Sequence, residues 1–244
     1  MDGAKIFTGS QDNMMTEEFE VAAVNKSLFM DADKELFDRR ILYKSIKRMS
    51  DIIISFAGLI ILLPVFVAAA MAIILEDGGP IFYTQKRIGK FEKEFKILKF
   101  RSMYKNAEKI HENLREEYGC REVSFKLRDD PRITKVGKII RKFNIDELPQ
   151  LINILKGDMS LVGPRPLPVY EYEDEQKRYG NRYIERYLIP QGLTCIWQIS
   201  NRASVDFEDR MQMDVEYARR RGFWMDFKLI VKTFVFTVTG NAAY

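Results

Sequence analysis

Two acids stand side by side in the stretch NIDELPQLINILKGDMSLVGPRP, residues 144–166. Basic residues flank Asp146 and Glu147 in sequence: Arg141 and Lys142 before them, Arg165 after. Adjacent helical residues point about 100° apart, so the two acids do not share a face and are expected to do different jobs. On local structure alone the default explanation is capping, because acids are favoured in a first helical turn by the dipole. The cationic company argues for chemistry. Lys99, Arg101, Arg132, Arg141, Arg165 and Arg202 all lie among apolar neighbours or turn residues, where they can converge on one site. A guanidinium fork matches phosphate oxygens. A hard cation such as Mg²⁺ takes carboxylate and phosphate oxygens, and a carboxylate can attack phosphorus to form an acyl phosphate. The set suits a phosphate-bearing substrate and a divalent metal.

Composition narrows the alternatives. With a single histidine, His111, acid–base or metal work falls to Asp and Glu rather than to a His triad or a multi-His site. Cys120 and Cys195 have no metal-ligand spacing and read as reduced thiols of a cytosolic compartment. There is no Walker A pattern and no Gly-rich phosphate loop, which argues against an ATP-binding fold. The net charge of +4 fits contact with phosphates or an anionic membrane surface. It is too mild, and too interspersed with acids, for a nucleic-acid partner.

The elements that must position these residues begin with a membrane signal. Residues 52–75, IIISFAGLIILLPVFVAAAMAIIL, are 24 residues without a charge, bounded by Asp51 and Glu76. Length alone suggests a transmembrane helix. Pro64 sits mid-run and should bend it, leaving halves of roughly 18 Å against a hydrocarbon core of roughly 30 Å. Both flanks are basic: Arg39, Arg40, Lys44, Lys47 and Arg48 before, Lys86, Arg87, Lys90, Lys93 and Lys96 after. A span carries its basic residues on one side. The expectation is a re-entrant helix broken at Pro64 that returns to the cytosolic face, ahead of a plain span or a buried soluble helix.

Around this run, 1–34 reads as a variable or disordered arm, and 35–50 as an amphipathic surface helix. IFYTQKRIGK and FKILKFRSMY read as short strands. Residues 104–127 read as charged helix and loop, and TKVGKIIRKF as a helix burying Val136, Ile139, Ile140 and Phe143. A further helix from about Asp146 carries the stripe Leu148, Leu151, Ile152 and Leu155 and ends at Gly157. Then come a charged helix over 170–188, an extended GLTCIWQIS, a helix over 206–220 and an aromatic-rich final helix with Phe223, Trp224, Phe227 and Phe234. The expected fold is α-rich α+β. One compact cytosolic domain (77–244) follows an amphipathic and a re-entrant, proline-kinked membrane helix (35–76).

These segments resemble one family. KRMSD at 47–51, the mid-run Pro64, GPIFYTQKRIGK at 79–90, KILKFRSM at 96–103, DPRITKVGKIIRKFNIDELPQLINILKGDMSLVGPRP at 130–166 and WQIS at 197–200 resemble the bacterial sugar transferases, monotopic polyprenyl-phosphate phosphoglycosyl transferases. The resemblance runs from about Lys47 to Tyr244. It implies transfer of a sugar-1-phosphate from a UDP-sugar to undecaprenyl phosphate with release of UMP, the first membrane step of exopolysaccharide, capsule or O-antigen assembly. It places the protein on the cytosolic face of the bacterial inner membrane. It implies Asp146 as nucleophile carrying a covalent phospho-sugar, with Asp146 and Glu147 holding Mg²⁺. Arg141 and Arg165 match basic positions near the acid pair; Lys99 and Arg101 are further phosphate-binding candidates, and Arg202 and Gln198 weaker nucleotide or sugar contacts. A homodimer is conceivable.

The chain departs from the family in QGLTC at 191–195, where Gln191 and Cys195 replace an expected Pro and Gly, and at Asn201, which replaces a common Gly. These changes bear on sugar recognition and keep open a second function: a catalytically impaired membrane adaptor that binds polyprenyl phosphate or a partner protein. The chain also reads as a minimal catalytic form without the additional N-terminal membrane helices of larger relatives. The ending GNAAY hints at glucose or galactose.

Overall fold

The computed structural model describes residues 41–105, 107, 130–199 and 205–238. The arm at 1–34, His111, Cys120, Asn201, Arg202 and the GNAAY ending lie outside the described residues.

The basic segment and the apolar run share one helix, α1 (Ile41–Ile61), followed by α2 (Leu63–Asp77). The two are bent by 60° across a break at Leu62. Pro64, in the first turn of α2, has no N–H to offer and its ring crowds the preceding turn, so the helical register stops just ahead of it. Among the described residues no single helix is long and apolar enough to cross a membrane; the bent pair together has the length and composition to be a broken span or a re-entrant loop. Its burial is inverted relative to a soluble core. Asp51 and Ser55 are buried, while Ile53, Phe56, Ile61, Leu63 and Leu75 are exposed.

Strands β1 (Phe82–Ile88) and β2 (Glu94–Phe100) form an antiparallel hairpin that sets Tyr83 opposite Lys99. After it come α3 (Lys135–Lys142), a 3-10 turn (Ile145–Glu147), α4 (Gln150–Lys156) and β3 (Met159–Val162). Then follow α5 (Val169–Tyr179), a 3-10 segment (Gly180–Tyr187) and β4 (Gln191–Thr194), which pairs in parallel with β3. A short 3-10 turn (Trp197–Ile199), α6 (Phe207–Arg220) and α7 (Phe223–Val238) complete it. The fold is α-rich with two small sheets, and from Leu42 onward it is one compact unit.

One hydrophobic cluster joins Ala69 and Ile73 of α2 to Phe100 and Ile140, with Phe66, Ile81, Val136 and Ile145 packed against it. A second gathers Leu167, Tyr183, Met211 and Val215. Beside it lies a fully buried ion pair, Arg186 to Asp214 at 2.8 Å.

Three elements differ from the sequence reading. The helix expected from Asp146 begins at Gln150, because Asn144 takes the left-handed conformation (φ 52°) and Pro149, with no N–H, stands at the helix start. Its fully buried apolar side chains are Leu151 and Ile154, with Leu148, Ile152 and Leu155 half-buried. The charged helix expected to reach residue 188 stops at Tyr179, where Gly180 turns to φ 54° and the chain continues as 3-10. In α3, Val136 and Ile140 face the core, but Ile139 and Phe143 are exposed.

The β3–β4 sheet depends on a close glycine pair. A Cβ on Gly192 would lie 2.1 Å from the backbone nitrogen of Gly163. Gly192→Ala is expected to destabilise the fold by about 3 kcal/mol or more, since backbone must move. Gly222→Ala, where a Cβ meets nothing within 4 Å, should stay within about 0.5 kcal/mol. Thermal melts of the two variants test the contrast.

Candidate active site

The acid pair is presented by a turn rather than a helix. The left-handed Asn144 reverses the chain after α3, and the 3-10 turn that follows is closed by hydrogen bonds from Glu147 N–H to Asn144 O and from Leu148 N–H to Ile145 O, both 3.1 Å. The two carboxylates then meet different surroundings. Glu147 Oε1 accepts from Lys99 Nζ at 2.7 Å and from Arg165 Nη2 at 3.0 Å. Asp146 is buried, and among the described residues no hydrogen bond or ion pair holds its carboxylate.

Electrostatics separate the pair further. Lys99 and Arg165 hold Glu147 far below the ordinary carboxylate range despite its burial. Burial, with Glu147 beside it, pushes Asp146 up to about 6, against the opposing pull of Lys99, Arg141 and Arg165. Glu147 is thus a fixed anion, and Asp146, without a partner among the described residues, is a carboxyl raised toward neutrality.

Each cation is positioned by a separate element. Lys99 comes from β2, whose backbone is gripped by Asn153 of α4: Leu98 N–H donates to its Oδ1 at 2.9 Å, and its Nδ2 donates to Lys96 O at 2.8 Å. Arg165 follows β3. Its carbonyl accepts from Arg186 Nη2 at 2.7 Å, and Arg186 also donates to the Tyr187 hydroxyl at 2.7 Å, which in turn donates to Glu175 at 2.6 Å. This buried chain, closed by Asp214, holds Arg165 from behind. In front, a cleft is lined by Arg87, Ile97, Lys99, Glu147, Gln150, Arg165 and Pro166. Three cations there face one already paired carboxylate, and the arginines repel one another enough to lower Arg87 along with burial, its larger cause. Such surplus charge suits an anionic ligand.

The sequence candidates divide accordingly. Glu147, Lys99 and Arg165 line the cleft; Asp146 and Arg141 do not, but Asp146 lies close enough to feel the charges of Glu147, Lys99, Arg141 and Arg165. Arg101 lies at the end of α2, paired with Asp77 at 3.0 Å, and does not line the cleft. Gln198 is buried and accepts from Cys195 Sγ at 3.1 Å. Arg87 was legible only as a member of QKRIGK. It reaches the cleft because Ile88 N–H donates to Leu167 O at 2.9 Å, seating β1 against the PRP loop, and Arg87 itself donates to Pro166 O at 3.0 Å.

Among the described residues no group of three or more His, Cys, Asp or Glu could hold a metal. Two carboxylates alone, Asp146 and a Glu147 already paired with Lys99 and Arg165, do not complete a Mg²⁺ shell, so an ion there would need phosphate oxygens of a bound substrate.

Residues 42–240 match the family model described as bacterial sugar transferase. The chain belongs to that family. It is 42% identical over 200 residues to the galactosyl transferase CpsE of Streptococcus agalactiae serotype III, covering 81% of this chain and 43% of that one. It is 40% identical over 207 residues to the undecaprenyl-phosphate galactose phosphotransferase of Salmonella typhimurium, covering 82% and 42%. Against the exopolysaccharide production protein ExoY of Sinorhizobium fredii it is 38% identical over 206 residues, covering 81% and 88%. This sugar transferase chain therefore spans less than half the length of the first two relatives and most of the third.

The Asp146 environment makes a pH-dependent prediction. Its folded-state value is raised from 3.8 to about 6, so ionisation opposes folding. The cost is absent below about pH 4, grows through pH 6 and is complete above it, at about 3 kcal/mol for two units. Asp146→Asn removes it. The variant should melt higher than wild type at pH 8, and the difference should vanish at pH 4.

Proposed function

We propose that this chain transfers a sugar-1-phosphate from a UDP-sugar to undecaprenyl phosphate, releasing UMP. The observation that carries the reading is the contrast within the acid pair: a buried Asp146, with no hydrogen bond or ion pair among the described residues, beside a Glu147 held by Lys99 and Arg165 at the edge of a cleft with surplus positive charge. Family membership and the relatives' names, undecaprenyl-phosphate galactose phosphotransferase and exopolysaccharide production protein, support it.

In this mechanism the Asp146 carboxylate attacks the sugar-bearing phosphorus of the UDP-sugar. A P–O bond to Asp146 forms, the bond to the bridging oxygen breaks, and UMP leaves with that oxygen and its electron pair. A phosphate oxygen of undecaprenyl phosphate then attacks the same phosphorus and expels Asp146, regenerating the carboxylate. Arg165, Lys99 and Arg87 neutralise the phosphates as charge shifts to the leaving group, with Arg141 on the Asp146 side. Glu147 keeps Lys99 and Arg165 in place. Asp146 and Glu147 would hold a Mg²⁺ ion, which would supply further charge neutralisation on the diphosphate. Arg101 and Gln198, which do not line the cleft, are weaker candidates for phosphate or nucleotide contact, and Arg202 lies outside the described residues.

The acceptor is a lipid, and the bent helical pair is suited to meet it. Its exposed apolar side chains are matched to lipid rather than water. We place it as a re-entrant insertion in the cytosolic face of the inner membrane, so that the acid turn lies at the depth of a lipid phosphate. The reaction would begin exopolysaccharide, capsule or O-antigen assembly. The adaptor reading rests on the departures at Gln191 and Cys195, which have packing roles of their own. Gln191 is buried and donates to Arg186 O and Ile189 O at 3.0 and 3.1 Å, and Cys195 is buried against Gln198.

Protein in nanodiscs, given a panel of UDP-sugars, undecaprenyl phosphate and Mg²⁺, should release UMP with one sugar preferred. Asp146→Asn should lower the rate by about a thousandfold or more while the protein still enters membranes. Undiminished UMP release by that variant would remove Asp146 as nucleophile.

A further inference from the structure

The bent helical pair makes polar contacts that membrane attachment does not require. At the end of α2, the Glu76 carboxylate accepts the first two backbone N–H groups of α3, from Lys135 at 2.7 Å and Val136 at 2.9 Å. Thr134 adds its own cap by accepting from Gly137 N–H at 2.8 Å. In α1, the Arg48 guanidinium donates to Ile154 O at 2.6 Å and to Leu155 O at 2.9 Å, in the last turn of α4. An acid from one leg thus sits at a helix N-terminus and a cation from the other at a helix C-terminus. Those are the ends where orphan N–H and C=O groups and the helix dipole favour each charge.

The apolar packing follows the same division. Phe66, Ala69 and Ile73 of α2 share a cluster with Val136 and Ile140 of α3 and with Ile145, the residue before Asp146. In α1, Gly58 lies against α4: a Cβ there would stand 3.3 Å from Leu151 Cδ1. So α2 carries α3, and α1 carries α4. The acid turn bridges α3 to α4, and the break at Leu62 joins the two legs. The angle at that break therefore sets the separation of the two ends from which the acid turn hangs.

We infer that the bent helical pair is a working part of the acid site, with Arg48 and Glu76 as positioning residues for Asp146 and Glu147. The inference rests on the proposed transferase reading and goes beyond it: insertion into lipid fixes the geometry of the chemistry as well as the location of the protein. Neither residue touches substrate. Each acts by holding one end of the α3–turn–α4 unit, and a displacement of about 1 Å at a reacting carboxylate costs on the order of a hundredfold in rate.

The test uses full-length Glu76→Ala, Arg48→Met and Lys47→Met in nanodiscs. Lys47 also ties α1 to the domain, through Asp226 at 2.8 Å, but its partner is on α7, away from the acid turn. Three quantities are read: the burst of UMP in the absence of undecaprenyl phosphate, kcat and KM for the UDP-sugar, and recovery in membranes. Glu76→Ala and Arg48→Met should each slow the burst and lower kcat tenfold to a hundredfold, with KM within about twofold and membrane recovery unchanged. Glu76→Gln, which keeps one acceptor oxygen, should fall between wild type and Glu76→Ala. Lys47→Met should keep the burst within about twofold of wild type. The inference is overturned if Glu76→Ala and Arg48→Met keep a wild-type burst and lose only membrane recovery or lipid-dependent turnover. It is equally overturned if Lys47→Met loses the burst to the same degree. Wild-type protein that turns over with acceptor but gives no burst without it would instead count against the covalent route. The positioning role would then be read from kcat alone.

Discussion

The ionised Glu147 carboxylate, half-buried and shared between Lys99 and Arg165, is the interaction on which the site depends. Its two cations come from distant parts of the chain, one from a strand and one from the loop after β3, and the acid comes from a turn between helices. Partial burial makes the arrangement stringent, because removing one partner leaves the others' charge without compensation where water reaches it poorly. Much of the surrounding structure prevents that. Asn153 fixes the β2 backbone beside Lys99, and the Glu175–Tyr187–Arg186–Asp214 chain fixes the backbone of Arg165.

That same interaction differentiates the acids. Because Glu147 takes Lys99 and Arg165, Asp146 next to it remains buried, without a partner among the described residues and close to a fixed negative charge. A carboxyl so placed is less well solvated than one on the surface, which raises its proton affinity and removes hydrogen bonds that would stabilise it as a bystander. Two identical functional groups in adjacent positions thus acquire separate surroundings: one organises the cations, and the other is the proposed nucleophile.

The bent helical pair extends the same logic outward. Its outer surface is apolar, while its inner surface carries Arg48, Asp51 and Glu76. Asp51 accepts from Leu161 N–H at 3.1 Å, in β3, just ahead of the loop that bears Arg165. The contacts of both legs converge on the elements flanking the acid turn and the arginine loop, so the apolar segment and the polar site form one mechanical unit. α7 adds a further exposed apolar face, with Trp224 at 70% and Phe234 at 69% exposure, where the sequence alone allowed core packing equally well.

Several features were legible from the chain by itself, because they depend on local chemistry. An uncharged run with a proline inside must bend. Alternating apolar residues around cations make the β1–β2 hairpin. An acid pair among arginines, without histidine, points to phosphate chemistry, and the motifs around it carry the family resemblance. Tertiary structure decided the rest. Lys99 and Arg101 looked equally suited to the site, and Arg87 was one basic residue among many. Which cation enters the cleft depends on strand register and on the seating of β1 against residues 166–168, and local spacing encodes neither. The start of α4 was misplaced for a related reason: the left-handed Asn144 is a conformation that its packed surroundings hold and that spacing does not announce. The divergent fates of Asp146 and Glu147 lie furthest from the sequence, since they arise from how burial and two distant cations are distributed between neighbouring carboxylates.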